Sequence, residues 1–78
     1  MMLIEVSHRD GVKIIKKDNW VELNNTMDEM IVEYEENNLM LIEEKIVPFN
    51  SRTCDFATTE EGWDCALIIV EGEAKLSI

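Results

Sequence analysis

Between Asp18 and Glu44 the sequence contains no lysine and no arginine. Proline occurs once, at Pro48, histidine once, at His8, and cysteine twice, at Cys54 and Cys65. Each shortage removes a class of function. One histidine and two distant cysteines do not make a four-ligand zinc site, and two thiols do not make the disulfide framework of a small secreted domain. The cysteines read as small core residues. The three glycines, Gly11, Gly62 and Gly72, each stand at an expected turn, which leaves no glycine-rich loop to cradle a phosphate. No Asp-x-Asp-x-Asp-Gly loop offers calcium its ligands. No apolar run reaches the length of a membrane span, and the N-terminus lacks the basic start and long apolar stretch of a signal peptide. A cytoplasmic location is the expectation, with no cofactor and no metal.

Where cations are missing, carboxylates are dense. The segment 18–44 carries nine: Asp18, Glu22, Asp28, Glu29, Glu33, Glu35, Glu36, Glu43 and Glu44. Residues 1–17 are mildly basic, with Arg9, Lys13, Lys16 and Lys17 against Glu5 and Asp10. The formal charge of −10 is therefore concentrated. Such a field repels nucleic acid and anionic membrane and attracts basic protein surfaces. An apolar fraction of 46% sets the chain apart from acidic disordered segments. Its 78 residues suit one small domain, 1–78, whose stability is limited by core size. A homodimer is expected, because association adds buried apolar area to a small core.

The local signals are mostly those of β-hairpins. Met2–Ser7 and Val12–Lys17 read as strands about Arg9-Asp10-Gly11, with Gly11 in the left-handed position. That loop pairs His8 with Val12 and Val6 with Ile14, so Ile4, Val6, Val12 and Ile14 share a face. Asp64–Val70 and Glu73–Ile78 flank Glu71-Gly72 as a second hairpin, pairing Ile69 with Ala74, Leu67 with Leu76 and Cys65 with Ile78. Arg52–Ala57 reads as a further short strand. The sum is a mainly β domain, a small antiparallel sheet or barrel built from hairpins with six or seven short strands.

The middle supports two readings. Thr26-Met27-Asp28-Glu29 has the form of a helix capping box, and Met27, Met30, Ile31 and Tyr34 keep helical spacing. Met30, Val32 and Tyr34 also alternate as a strand would, and Asn37-Asn38 suits a tight turn into Leu39–Val47. The hairpin, with Tyr34 opposite Leu41 and at most a helical turn at 26–30, is the favoured reading. An α+β domain with one short helix near 26–36 is the alternative. In the hairpin, Glu33 and Glu35 stand about 6.8 Å apart, two residues of extended strand. That spacing is close to the separation of successive phosphates along one nucleic-acid strand, about twice the 3.4 Å rise. The candidate partner-binding residues are therefore Asp28, Glu29, Glu33, Glu35, Glu36, Glu43 and Glu44.

A catalytic reading finds little support. No isolated Asp or Glu sits in an obviously apolar strand that would raise its pKa for general acid work. His8 beside Ser7 is adjacency, not a nucleophile with its base. Trp20 and Trp63 read as anchors at the edge of the core rather than as stacking platforms, since no basic groove accompanies them. Lys13, Lys16 and Lys17 form a second, basic patch.

In size, acidity and Asn/Glu/Ile/Lys-rich usage, most of all over residues 18–44, the chain resembles the small early proteins with which bacteriophages disable host functions. That group includes acidic DNA mimics that block nucleoid proteins of the HU type. The resemblance rests on general character, carries no motif and assigns no residue. It implies a non-enzymatic inhibitor in the host cytoplasm that occupies the basic DNA-binding surface of a host protein, without binding nucleic acid itself. A host defence nuclease or polymerase is the second target class it implies. A small structural or assembly module, such as a virion or toxin–antitoxin component, is the reading from a different class; there the apolar hairpin face drives oligomerisation and the acidity serves solubility.

Overall fold

The computed structural model describes residues 1–59 and 62–71, with Lys17 described by its backbone alone. It shows a mainly β protein, one antiparallel sheet with a helix across one face. The elements run β1 (Met2–Ser7), β2 (Gly11–Lys17), α1 (Trp20–Glu36), β3 (Met40–Val47), β4 (Ser51–Ala57) and β5 (Cys65–Val70). The sheet order is β2-β1-β5-β4-β3, and every neighbouring pair is antiparallel.

This order explains why the middle of the chain is a helix. β2 and β3 are the two edges of the sheet, so the connection between them must cross all five strands. That distance is about 19 Å at the usual strand spacing. A 17-residue helix is about 25 Å long, enough to span the sheet and cover its apolar face. The hairpin expected for 30–45 does not form. β3 pairs with β4, placing Leu41 opposite Phe56 rather than Tyr34.

The helix also begins earlier than the capping box at Thr26 suggested. Asn19 is the N-cap, and its side chain accepts the Glu22 backbone N–H at 3.0 Å. The buried stripe starts at Trp20 and runs through Leu23, Met27, Met30, Ile31 and Tyr34. Thr26 lies within the helix, where its hydroxyl donates to the Glu22 carbonyl at 2.9 Å. At the other end Asn38 takes φ 66°, and the N–H groups of Asn38 and Leu39 return to the carbonyls of Glu35 and Tyr34. This is a Schellman closure with asparagine in the left-handed position. The tolerance for positive φ read from Asn37-Asn38 is thus used to end a helix rather than to turn a hairpin.

The core lies between α1 and the three central strands: Leu3, Cys54, Phe56, Cys65, Leu67 and Ile69 from the sheet against Leu23 and Met27. Both cysteines are buried free thiols. Tyr34 meets Phe56 edge-on, with ring centroids 4.9 Å apart. Trp63 donates its indole N–H to Asp55 at 2.9 Å.

The first hairpin forms with Gly11 at φ 75°. Its register differs from expectation by two residues: Val6 faces Val12 and Ile4 faces Ile14, so the four still share one face. Each edge strand holds one extra residue against its neighbour, Ile15 on β2 and Ile42 on β3. Such bulges are common on sheet edges. Both edges of β5 are taken, by β1 and by β4, so no edge is left for its expected pairing with 73–78, residues that lie outside those described.

Candidate acidic face

Six carboxylates and no cation lie on α1: Glu22, Asp28, Glu29, Glu33, Glu35 and Glu36. All six are exposed. At about 100° per residue, Glu22, Glu29, Glu33 and Glu36 fall within about 60° of arc, a single row along the outside of the helix. Asp28 and Glu35 lie on its other flank. Between the two sets run Val21, Asn25 and Val32, also exposed. The row extends about 21 Å, and its last three members are separated by about 6 and 4.5 Å along the axis.

The expected site residues therefore separate. Asp28, Glu29, Glu33, Glu35 and Glu36 stand on the helix, and Glu43 and Glu44 on the edge strand β3. They do not form one hairpin face, and Glu33 and Glu35 point to different flanks of α1. The strand spacing of about 6.8 Å expected for Glu33 and Glu35 is not realised, because both residues lie on a helix.

They also differ in what they touch. The ion pairs among the described residues are Lys16–Asp18 at 3.3 Å, Lys45–Glu43 at 3.5 Å, Arg52–Asp28 at 2.7 Å and Arg52–Glu44 at 2.9 Å. None of these takes up Glu22, Glu29, Glu33, Glu35 or Glu36. Glu22 instead neighbours the Asp18 carboxylate, and their mutual influence holds Glu22 above the ordinary carboxylate range and Asp18 below it. Glu33, Glu35 and Glu36 occupy the last turn of α1, which contains no basic residue. A helix C-terminus carries partial negative charge and favours cations, so these three positions are electrostatically adverse to the helix. Glu29–Glu33 and Glu33–Glu36 add like-charge neighbours at i,i+4 and i,i+3.

Asp28 and Glu44 belong to a cluster that sequence reasoning did not single out. Arg52, 8% exposed, projects from β4 beneath the helix. It donates to Asn24 and Asp28 of α1 at 2.8 and 2.7 Å, and to Glu44 of β3 at 3.2 and 2.9 Å. The Cys54 thiol donates to the same Glu44 oxygen at 3.0 Å. The thiol and the guanidinium hold Glu44 below its ordinary range, while burial and Glu44 push Cys54 up to about 12. This cluster ties α1 to the sheet edge and neutralises part of the acidic surface, a structural role.

A cleft of about 480 Å³ opens beside the C-terminal end of α1, lined among others by Glu5, His8, Asp10, Glu33, Tyr34 and Asp64. The Tyr34 hydroxyl donates to Glu5, and burial together with that carboxylate pushes Tyr34 up. Burial also raises Cys65. Both groups thus keep their protons, the opposite of an activated nucleophile. His8 packs edge-on against Trp63 at 4.7 Å. Ser7 accepts the Asp10 backbone N–H, closing the turn.

Among the described residues, no group of histidine, cysteine and carboxylate side chains is arranged to hold a metal ion, and no helix is long and apolar enough to cross a membrane. No known family model, curated protein or solved structure matches the chain.

Proposed function

We propose that the outer face of α1 is a docking surface for a basic, normally nucleic-acid-binding surface on another protein, and that the protein acts as a charge-mimicking, non-enzymatic inhibitor. The observation that carries this reading is the last turn of α1. Glu33, Glu35 and Glu36 sit at the end of the helix where carboxylates weaken it, without a cation among them. The fold gains nothing from that charge, and a partner with a basic groove gains from all of it. Glu22 and Glu29 extend the row. Asp28 and Glu44, held by Arg52, and Glu43, beside Lys45, contribute less.

Each exposed ion pair would give only about 0–1 kcal/mol. Several acting together against one concave basic surface give fast, salt-sensitive association. The resemblance to phage host-takeover proteins belongs to this proposal, with host nucleoid proteins of the HU type as the first target class and the host cytoplasm as the place of action.

The test is competition with DNA for such a protein at low salt. The parent chain should displace DNA, and the variant Glu33→Lys/Glu35→Lys/Glu36→Lys, folded by circular dichroism, should not. Equal displacement by both would end the mimicry reading in favour of the assembly-module one. The apolar edge at β3 is the observation that favours that second reading.

A further inference from the structure

We propose that β3 pairs antiparallel with β3 of a second copy, about a twofold axis at Glu44, to give one continuous ten-stranded sheet. Among the described residues β3 is a sheet edge, hydrogen-bonded on one side only, and all of its residues are exposed, with the Glu44 side chain more covered, at 31%. Most of those residues are apolar: Met40, Leu41, Ile42, Ile46 and Val47.

The register follows from parity and charge. Residues opposite each other in an antiparallel ladder share a face, and neighbours along a strand alternate. The β4 register puts Glu44 and Ile46 on the helix side, opposite Cys54 and Arg52, and Glu43 and Lys45 on the other, opposite Asp55 and Thr53. A twofold axis must therefore pass through a residue and not between two. Centred on Lys45, the pairing sets lysine against lysine; centred on Glu43, it sets glutamate against glutamate and leaves Lys45 opposite Leu41. Centred on Glu44, Glu43 of each copy meets Lys45 of the other, twice by symmetry, and Ile46 meets Ile42. The two Glu44 carboxylates at the axis are each already bound by their own Arg52 and Cys54. The bulge at Ile42 ends the matched segment on one side and Ile46, opposite it, on the other. The second edge, β2, offers no such match to itself, since its charged residues are all lysines. β2 against β3 of another copy would match charge but leave both outer edges free, so it would grow into open chains.

This inference is independent of the proposed docking face, because α1 stays exposed on one side of the joined sheet. The test is sedimentation equilibrium of the full chain across the micromolar range. The parent should be a dimer. Glu43→Lys and Lys45→Glu each turn two attractive cross-strand pairs into two repulsive ones, and each should raise the dissociation constant by about tenfold to a hundredfold. An equimolar mixture of the two variants should recover dimers, because lysines in one chain then face glutamates in the other. Both side chains are largely exposed, 58% for Glu43 and 80% for Lys45, so the strand should tolerate the changes. The neutral variants Glu43→Gln and Lys45→Gln should weaken the dimer by roughly the square root of that factor, and they carry the test if a reversal disturbs the strand. A monomeric parent, unchanged dimerisation of the single variants, no recovery on mixing, or species that keep growing with concentration would each overturn the proposal.

Discussion

Replacing Glu36 by lysine should make the protein more stable and, under the proposed function, weaken its competition with DNA for a basic partner. Glu36 is the final residue of α1, in a turn with no basic side chain. A favourable charge at a helix end is worth about 0.3–1 kcal/mol at low ionic strength, and an adverse one costs a similar amount. The same substitution converts Glu33–Glu36 from a like-charge i,i+3 pair into an attractive one, about 0.2–0.5 kcal/mol each way. Side-chain exposure lowers the sum, and about 1 kcal/mol is the reasonable expectation. In a domain of 78 residues that corresponds to a rise of about 4–8 °C in Tm. Glu36→Gln should give about half the rise. Both effects should shrink at high salt, as the Debye length falls from about 10 Å at 0.1 M to about 3 Å at 1 M. Calorimetry at the two salt concentrations reads this directly. A lower Tm for Glu36→Lys, or a gain indifferent to salt, would mean that the carboxylate makes stabilising contacts in the fold and is not surplus charge. Charge mimicry by the helix end would then lose its main support.

Other perturbations test the parts of the structure that hold this face in place. Arg52→Ala strips the countercharge from Asp28 and Glu44 and should cost about 2–3 kcal/mol in urea denaturation, discounted from the range for fully buried pairs because Asp28 is 56% exposed. Glu44 is held below its ordinary 4.5, so its stabilising effect is complete above that value and is lost as pH falls through the lower folded value. Glu44→Gln should flatten the acid limb of the stability curve in that window. Asn38, at φ 66°, should accept glycine without loss, whereas Asn38→Val should cost about 1–2 kcal/mol by forcing a β-branched residue into the left-handed region. The Cys54 thiol, buried and pushed up to about 12, should resist alkylation at neutral pH until the protein is denatured.

The strands were legible where the signal is local. β1, β2, β3, β4 and β5 all lie where alternation and turn residues placed them, to within a residue or two, and Gly11 takes the conformation its position required. The helix was legible only as the alternative near 26–36, behind the favoured hairpin, for an identifiable reason. Met30 and Tyr34 fall on one face at a period of either 2 or 3.6, so residues 30–36 alone do not discriminate. Trp20 and Leu23, and the Asn19-Trp20-Val21-Glu22 capping pattern before them, carried the deciding signal, and it lay upstream of the segment in question. The rest was non-local. Nothing near residue 40 announces that β5 will insert between β1 and β4, leaving β2 and β3 on opposite edges. Arg52 was unreadable for the same reason, because Asp28 and Glu44 lie 24 and 8 residues away from it and converge only after the helix has crossed the sheet.

The crossing helix also explains how so acidic a chain remains folded. Leu23, Met27 and their neighbours on α1 seal the sheet, and the opposite side of the helix contributes no core contact. Charge on that outer side is therefore opposed only by weak, screened terms, each about 1 kcal/mol or less, while the core contacts beneath are worth several times as much. One cation is placed where screening is least. Arg52 sits under the helix and meets Asp28 and Glu44, whereas the outer row is left without an ion-pair partner among the described residues. A chain that needed acidity only for solubility would gain by placing lysines at the C-terminal turn, since they would solubilise the surface and strengthen the helix at once. Among the described residues the lysines lie on β2 and β3 instead, and three glutamates stand at the helix end. That arrangement is costly to the fold and would be useful to a docking surface, so the proposed basic partner rests on the helix end more than on the net charge.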